Sequence, residues 1–228
     1  MPRAATPAAP ALMDFFAEAY RLRLLRGLED LLARCGFCRI AGVDEAGRGS
    51  LAGPVVAAAV IIDPARAVPG VDDSKCLDAA CRERLADAIR ASAFAWAVVP
   101  IQPDVIDRIN ILEATRQAMR LSLARLTPTP DIAVIDAVAL SGLGFPSLPL
   151  VRGDAVSYAV SCASILAKVE RDRMMIELDG RYPQYGFASH KGYGTPEHMD
   201  ALRRHGPCPL HRRSFAPVLS VLSPALPL

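Results

Sequence analysis

Apolar positions recur at helical spacing near the start of the chain, within a segment that runs over 14–38. Their intervals of three or four residues predict an amphipathic helix docked on the main domain. These apolar positions are Phe15, Phe16, Ala19, Leu22, Leu25, Leu28 and Leu32. The preceding segment, 1–13, is rich in alanine and proline, and we expect it to lack a fixed structure. A transit peptide is disfavoured, because four acidic residues lie in 14–38 and such peptides are poor in acids.

Further along, short apolar runs bounded by turn residues predict strands, and longer periodic segments predict helices. The predicted strands cover 39–44, 54–62, 93–101 and 131–136. The predicted helices cover 78–91, 106–126 and 155–178, and a short one begins at Thr195. Strands that alternate with helices are typical of the α/β class. We therefore expect one main domain over 39–218, followed by a C-terminal tail over 219–228.

Composition narrows the class of protein. Apolar residues make up 52% of the 228 residues and charged residues 22%, a balance typical of a folded globular chain. The longest aliphatic run, 55–62, is far shorter than the ~20 residues of a membrane span. The six cysteines show no disulfide-framework spacing, which favours a cytoplasmic protein. Cys35 and Cys38 form a single C-x-x-C pair, whereas a zinc site would need a second pair of ligands.

Charge is nearly balanced along the whole chain, with a formal net charge of +2. A nucleic-acid partner would therefore have to bind a local basic patch. The segment 181–213 contains six basic residues and two acidic ones. The basic residues are Arg181, Lys191, Arg203, Arg204, Arg212 and Arg213. Such a segment is either a solvated helical face or a nucleic-acid contact, and charge alone leaves both open.

Acidic residues follow two of the predicted apolar strands. Asp44 and Glu45 end the first strand, Asp136 ends the fourth, and Asp154 stands at the start of the long helix. If the two strands are parallel neighbours, their acids converge at one edge of the sheet. Clustered carboxylates repel one another unless cations bridge them, and oxygen ligands suit Mg²⁺ or Mn²⁺. Taken singly, each residue could instead be a strand end, a helix cap or a solvated loop residue.

The loop that follows the first strand is rich in glycine. Gly47, Gly49 and Ala52 match the pattern G-x-G-x-x-G/A of dinucleotide-binding folds, which keeps an NAD or flavin oxidoreductase as one alternative. That pattern must open a helix, whereas Pro54 and the β-branched residues after it predict a strand. The other use of such a loop is a backbone cradle for a sugar or phosphate, where Arg48 would add a phosphate contact.

Beyond these single features, ordered sequence blocks over about four-fifths of the chain resemble the ribonuclease HII family. The blocks are Gly42-Val-Asp-Glu-Ala-Gly-Arg-Gly49, Leu51-Ala-Gly-Pro-Val-Val56, Asp73-Ser-Lys75, Ile109-Asn-Ile-Leu-Glu-Ala114, Gly153-Asp154, Ala163-Ser-Ile-Leu-Ala-Lys-Val169, Arg171-Asp-Arg173, Tyr185-Gly-Phe187, His190-Lys-Gly-Tyr-Gly-Thr195 and His211-Arg-Arg-Ser-Phe215. The resemblance implies an α/β fold with a ribonuclease H-like mixed β-sheet flanked by helices and a helical C-terminal segment.

The resemblance also implies a reaction and a ligand set. Asp44, Glu45, Asp136 and Asp154 match the family's catalytic carboxylates, which bind two Mg²⁺ or Mn²⁺ ions. The reaction is endonucleolytic hydrolysis of RNA in RNA/DNA hybrids and at single ribonucleotides embedded in duplex DNA. It leaves 5′-phosphate and 3′-hydroxyl ends.

Substrate contacts follow from the same resemblance. Gly47, Arg48 and Gly49 match the loop whose backbone contacts the ribose 2′-hydroxyl, and Tyr193 matches a tyrosine that packs on the deoxyribose at the RNA-to-DNA junction. Lys75 and Lys191 are further predicted substrate contacts. The implied partners are RNA/DNA hybrids and ribonucleotide-containing DNA, bound by a monomer. The tail offers no clear motif for a sliding-clamp partner.

Several positions depart from the family pattern, among them Ala137, Ser50 and Tyr158. Ala137 stands where a glycine usually follows the aspartate, and a positive φ there would strain an alanine. Ser50 replaces a usual proline, and Tyr158 adds bulk at a helix start that is normally rich in small residues. A hybrid-binding protein without catalysis would result if these departures disabled metal binding.

Overall fold

A mixed five-stranded sheet forms the centre of the computed structural model, which describes residues 9–72, 74 and 77–223. The strands are β1 (Ile40–Ala46), β2 (Val55–Ile61), β3 (Ala95–Ile101), β4 (Ile132–Asp136) and β5 (Ser147–Leu150). Their order across the sheet is β3-β2-β1-β4-β5. β2 pairs antiparallel with both β1 and β3, whereas β4 pairs parallel with both β1 and β5. This arrangement confirms the predicted mixed sheet.

Helices flank the sheet and follow it at the C-terminal end. In chain order they are α1 (Ala9–Leu25), α2 (Gly27–Arg34), α3 (Ala79–Ser92), α4 (Pro103–Ile109), α5 (Ile111–Ala124), α6 (Gly153–Val156), α7 (Tyr158–Arg181), α8 (Phe187–His190), α9 (Pro196–His205) and α10 (Ala216–Leu222). Two single turns of 3₁₀ helix lie at Pro64–Arg66 and Pro183–Tyr185. Thr195 caps α9, as the sequence predicts.

The core lies in two layers, one on each face of the sheet. α5 packs with apolar residues of β1 to β4 on one face, whereas α3 and α7 pack against β1 and β2 on the other. Gly42 in β1 allows α7 to approach the sheet closely, because a Cβ at this position would lie 2.0 Å from the backbone of Ala159 in α7. α7 therefore runs directly over the strand that carries Asp44, and this fixes the distance between helix and site.

Two predicted helices of the main domain are divided, and one strand was not predicted. The predicted helix over 106–126 is split into α4 and α5 at Asn110, which has a φ of 66° and whose side chain accepts hydrogen bonds from the first backbone amides of α5. The predicted helix over 155–178 likewise divides at Ser157, which separates α6 from α7. β5 was not predicted, because it is short and partly exposed and contains Pro149.

The N-terminal segment forms two helices that dock through their later residues. Leu25 packs against the α3 and α7 layer, and Leu28 packs on β1 and β4. Phe15 and Phe16, which the periodicity assigned to the apolar face, are 65% and 57% exposed. α1 begins at Ala9, earlier than predicted, because alanine favours helix and proline is tolerated in a first turn. Positions 1–8 and 224–228 lie outside the described residues.

Within the described part of the chain, no helix has the length and apolar character needed to cross a membrane.

Candidate active site

Two parallel strands carry acidic residues to the same edge of the sheet. Val43 in β1 pairs with Ile135 in β4, so Asp44 and Asp136, the next residues of the two strands, lie at neighbouring positions. Glu45 follows directly in β1. The strand order therefore places these three acids together, as expected if β1 and β4 were parallel neighbours.

The three acids line an open cavity of about 460 Å³ at this edge. The lining residues are Asp44, Glu45, Ala46, Gly47, Arg48, Gly49, Ser74, Arg82, Asp136, Ser164, Lys168 and Tyr193. Most of the predicted site residues are among them. Asp154 and Lys191 do not line this cavity, and Lys75 lies outside the described residues. One cavity thus joins the carboxylates to the glycine-rich loop and to Tyr193.

Asp154 lies in α6, beside the residue that orients Asp136. The backbone amide of Gly153 donates a hydrogen bond of 2.6 Å to Oδ1 of Asp136. Asp154 itself is 6% exposed, and its backbone carbonyl accepts a 2.7 Å hydrogen bond from Oγ of Ser161. α6 therefore couples the two acids through backbone contacts, although Asp154 does not line the cavity.

Burial and mutual repulsion perturb the acids. The pKa of Asp44 is raised well above its usual value, first by burial and then by the charges of Glu45 and Asp136, against a hydrogen bond from Ser164. Burial also raises the pKa of Glu45, while the neighbouring Arg48 lowers it. Holding these carboxylates ionised side by side is costly without added positive charge. A bound cation would favour the ionised forms, so its binding would release protons.

The donor chemistry fits divalent cations with oxygen ligands. Oε1 of Glu45 lies 3.2 Å from the Arg48 guanidinium, but its Oε2 is buried without a hydrogen-bond partner. Carboxylate oxygens are the ligands that Mg²⁺ and Mn²⁺ prefer. Within the described ranges, no three Asp, Glu, His or Cys side chains are already grouped closely enough to hold a metal ion. The acids are therefore neighbours that share a cavity, and they do not form a closed coordination shell.

The glycine-rich loop leads into a strand. β2 starts at Val55, directly after Pro54, whereas a dinucleotide-binding fingerprint requires a helix at this point. The match of Gly47, Gly49 and Ala52 to that fingerprint is therefore coincidental. This finding removes the only sequence feature that supported an oxidoreductase.

The conformation of this loop requires glycine at position 47. Gly47 has a φ of 89°, and a Cβ there would lie 1.9 Å from Nε of Arg171. Ser50, the departure from the usual proline, donates a 2.9 Å hydrogen bond to the carbonyl of Gly47. The loop is thus a rigid turn whose backbone faces the acidic cavity.

Arg171 supports the loop from beneath, a role that the sequence analysis missed. It is fully buried in α7, and its Nε donates to the carbonyl of Pro54 at 3.0 Å. Its Nη2 donates to Oγ of Ser50 at 2.7 Å and to the carbonyl of Lys191 at 2.9 Å. The Nη2 group also reaches the carbonyl of Ala52 at 3.2 Å. One side chain therefore ties the glycine-rich loop to the segment that carries Tyr193.

Arg212 corrects the prediction of a basic surface patch. It is fully buried, and it donates hydrogen bonds to the carbonyls of Gly53 and Arg48 at distances of 2.8 to 3.1 Å. Burial lowers its pKa to about 9, and the charge of Arg171 adds to this. Arg212 is therefore a second internal support of the loop and does not face solvent. Arg203, Arg204 and Arg213 are exposed, as expected of the patch.

Tyr193 stands at the rim of the cavity with 38% of its surface exposed. Its ring centroid lies 5.3 Å from Cζ of Arg171 and 5.9 Å from Nζ of Lys168. The carbonyl of the preceding Gly192 accepts a 2.8 Å hydrogen bond from the amide of Leu51. The tyrosine and the glycine-rich loop are consequently held in a fixed relation by main-chain contacts.

Buried histidines brace the Tyr193 segment from behind. Nδ1 of His198 lies 2.9 Å from the carbonyl of Tyr193, which can only accept, so this nitrogen carries the proton. Nε2 of His198 lies 3.1 Å from Nε2 of His211, and Nδ1 of His211 accepts from the amide of Cys208 at 3.0 Å. Burial and the neighbouring His198 lower the pKa of His211 to about 4. The chain of hydrogen bonds is complete when both rings are neutral.

Two further basic side chains line the cavity, and neither stood out in the sequence. Lys168 and Arg82 belong to the cavity wall, and both also line an adjoining cavity of about 270 Å³ that contains Lys191. Asp172 lies 2.7 Å from Lys168 and 3.8 Å from Arg82. Their signal was weak, because single basic residues at helical spacing are ordinary surface features.

The turn after Asp136 has the strain that the sequence predicts. Ala137 has a φ of 48°, in the left-handed region that disfavours residues with a Cβ. Its amide donates a 2.7 Å hydrogen bond to the carbonyl of Leu150 in β5. The edge strand thus fixes the turn despite the alanine.

Comparison with known proteins agrees with this geometry. A family model described as Ribonuclease HII matches residues 41–218. A ribonuclease HII of Burkholderia mallei is 55% identical over 179 residues, covering 78% of this chain and 84% of the relative. One of Ruminiclostridium cellulolyticum is 48% identical over 198 residues, covering 87% of this chain and 78% of the relative.

The fold has a matching solved structure as well. The crystal structure of ribonuclease H2 from Pyrococcus horikoshii superposes with a TM-score of 0.71 at 28% sequence identity, covering 81% of this chain and 97% of that one. The sequence match, the mixed sheet and the cavity at the ends of β1 and β4 agree with one another. The chain belongs to the ribonuclease HII family, whose members are nucleases that cleave the RNA of RNA/DNA hybrids.

Proposed function

We propose that this protein is a metal-dependent endonuclease that cleaves RNA in RNA/DNA hybrids and at single ribonucleotides embedded in duplex DNA. The main support is the shared cavity, which is lined by acidic side chains, by the glycine-rich loop and by the partly exposed Tyr193. This combination suits a substrate that is recognised by its sugars and cut at a phosphate. The products would carry 5′-phosphate and 3′-hydroxyl ends.

The acids would hold two Mg²⁺ or Mn²⁺ ions. Asp44, Glu45 and Asp136 line the cavity, and Asp154 lies in α6, next to the Gly153 amide that donates to Asp136. When bound, two such ions activate a water and stabilise the departing 3′-oxygen. In this proposal the carboxylates are ligands and need not act as general bases. The unpaired Oε2 of Glu45 and the raised pKa of Asp44 support it.

The glycine-rich loop would test for the ribose. A 2′-hydroxyl both donates and accepts hydrogen bonds, and it is the group that distinguishes RNA from DNA at a given site. Gly47 and Gly49 line the cavity beside the acids, and Arg48 is half-buried next to them. Recognition by backbone groups is independent of the base, so any single ribonucleotide would be accepted.

Tyr193 would select the sugar that follows. Its partly exposed ring offers a flat surface on which a deoxyribose can pack, and a 2′-hydroxyl at that position would be excluded by the close approach. Lys168 and Arg82 supply positive charge along the same wall, which suits a phosphate backbone. Lys191 lines the adjoining cavity, where it could contact the strand further along, and Lys75 is a proposed contact from the family resemblance alone.

Such an activity would begin the removal of misincorporated ribonucleotides from DNA. We place it in the cytoplasm and expect a monomer. The five cysteines that the structure describes are free thiols, which suits a reducing compartment.

The test is incubation with an RNA/DNA hybrid and with a DNA duplex that carries one ribonucleotide. Each substrate is incubated with Mg²⁺, with Mn²⁺ or with a chelator, and the product ends are identified by phosphatase and ligase treatment. We expect metal-dependent cleavage of both substrates, with 5′-phosphate ends, and none by Asp136→Asn. Tight binding of both duplexes without cleavage in any metal would instead establish a hybrid-binding protein without catalysis.

A further inference from the structure

Glu29 is a buried carboxylate that lies outside the residues matched by the family model. It belongs to α2 and is 3% exposed. Its Oε1 accepts a hydrogen bond of 2.6 Å from Oγ of Ser157 and one of 2.9 Å from the amide of Ala159. Acidic side chains are almost never this buried unless a specific contact holds them. The contact that holds Glu29 is the start of α7.

Ser157 is the hinge between the short helix that carries Asp154 and the long helix α7. Its backbone amide donates to the carbonyl of Gly153 at 2.9 Å, which closes α6. Its carbonyl accepts from Oγ of Ser161 at 3.0 Å, and the same Oγ donates to the carbonyl of Asp154. Glu29 therefore holds the residue that joins α6 to α7.

α6 in turn orients a second acid of the cavity. The amide of Gly153 donates the 2.6 Å hydrogen bond to Oδ1 of Asp136. A Cβ on Gly153 would lie 3.3 Å from that same oxygen, so the approach is close and leaves little room for α6 to shift. A movement of the hinge at Ser157 would consequently change the positions of both Asp154 and Asp136.

On the basis of the proposed function, we propose that Glu29 is a positioning residue for the metal site. By holding Ser157, it fixes α6 and thereby the placement of Asp154 and Asp136 for cation binding. The helix dipole favours a carboxylate at the N-terminus of the 24-residue helix α7, whereas burial opposes its charge and raises the pKa of Glu29. The N-terminal helices are thus a working part of the active site and not only a covering of the domain.

This role is separable from the packing of α2. Leu28 and Leu32 pack on β1 and β4 without involving Glu29, so the helix stays docked when the carboxylate is removed. Asp30, the next residue, is about half exposed and lies 3.9 Å from Arg26. It offers a matched control, because its removal deletes a carboxylate from the same helix without touching α7.

The experiment measures binding of Mn²⁺ to the full chain by isothermal titration calorimetry, without nucleic acid. We expect Glu29→Ala to weaken Mn²⁺ binding by about tenfold. This is the lower end of the loss in metal affinity that follows removal of a group that supports the metal ligands. Ser157→Ala removes the hydroxyl that donates to Glu29 and also caps α7, and it is expected to weaken binding in the same direction. Glu29→Gln keeps an acceptor for both hydrogen bonds and should bind nearly as wild type does. Asp30→Ala should be unchanged.

Circular dichroism first establishes that each variant is folded at the temperature of the titration. If Glu29→Ala fails to fold, Ser157→Ala decides the question. Wild-type affinity in both folded variants would overturn the positioning role while leaving the metal site intact. Equal losses in Glu29→Gln and Glu29→Ala would contradict positioning by hydrogen bonds. Absence of Mn²⁺ binding to the wild-type chain would overturn this inference together with the proposed function. Failure of the proposed function is thereby distinguished from failure of the positioning role alone, in which the wild-type chain and both variants bind Mn²⁺ equally.

Discussion

Replacing Arg171 with methionine should loosen the glycine-rich loop more than any surface substitution on the same helix. Methionine matches the aliphatic stem of arginine but lacks the guanidinium, so the carbonyls of Pro54, Ala52 and Lys191 would lose their charged partner inside the protein. The variant keeps the packing of the stem against its neighbours and removes the guanidinium together with its hydrogen bonds. It therefore isolates the support of the loop.

The size of the effect follows from these contacts. A hydrogen bond to a charged group contributes ~1.5–3 kcal/mol, and a buried acceptor left unpaired costs a further penalty. Against this, burial lowers the pKa of Arg171 and its Nη1 has no hydrogen-bond partner, so keeping the charge inside is itself costly. The several lost hydrogen bonds outweigh the relief of this cost, so the net loss should be ~3–5 kcal/mol. For a chain of this size that corresponds to a fall in Tm of roughly 6–20 °C.

The assay pairs thermal unfolding with cleavage of a duplex that carries one ribonucleotide, measured well below the Tm. Arg173→Met is the matched control, because Arg173 lies on the same helix in a half-exposed ion pair with Glu83. Such pairs contribute under ~1 kcal/mol. We expect Arg171→Met to lose stability and catalytic efficiency, and the control to lose little of either. Equal behaviour of the two variants would refute the assignment of Arg171 as the support of the loop.

Four further outcomes are expected. Asp44→Asn should abolish cleavage yet raise the Tm of the metal-free protein, since it removes a buried charge from a repelling cluster. Tyr193→Ala should lower cleavage at a single ribonucleotide by ~1–3 kcal/mol, roughly 5- to 150-fold, with little change in Tm; unchanged activity would exclude junction recognition. Ala137→Gly should stabilise the protein in urea unfolding, because φ is 48° there, and a loss of stability would contradict strain. Burial lowers the pKa of His211 in the folded protein to about 4. The stability that the neutral ring contributes is therefore complete above pH 6.5 and is lost as the pH falls towards 4. A His211→Gln variant whose stability has the same pH dependence as that of the wild type would contradict this.

The sequence predicted the features that depend on local pattern. The apolar runs that end in Asp44 and Asp136 became β1 and β4, because a buried strand next to a carboxylate is a strong local signal. The break at Asn110 was missed, since the apolar periodicity continues across it while the asparagine side chain caps the following helix. β5 was missed because a short, partly exposed strand is stabilised by its neighbour and not by its own composition.

The candidate site was predicted less evenly than the sheet. The residues at its centre are linked by short motifs, whereas the supports depend on tertiary contacts. Arg212 was counted in the basic segment because charge counts assume exposure, yet it is fully buried against the glycine-rich loop. Glu29 gave no signal at all, since its partner Ser157 is distant in sequence and only the docking of α2 brings them together.

The central claim is that one cavity joins a ribose-reading loop to metal-binding acids. Its most direct test is a pair of DNA duplexes identical except for a single 2′-hydroxyl, each incubated with the wild-type protein and Mg²⁺. The account predicts one cut, at the ribonucleotide, in the first duplex and none in the all-DNA duplex. Cleavage of both duplexes at similar rates, or of neither in Mg²⁺ or Mn²⁺, would contradict it.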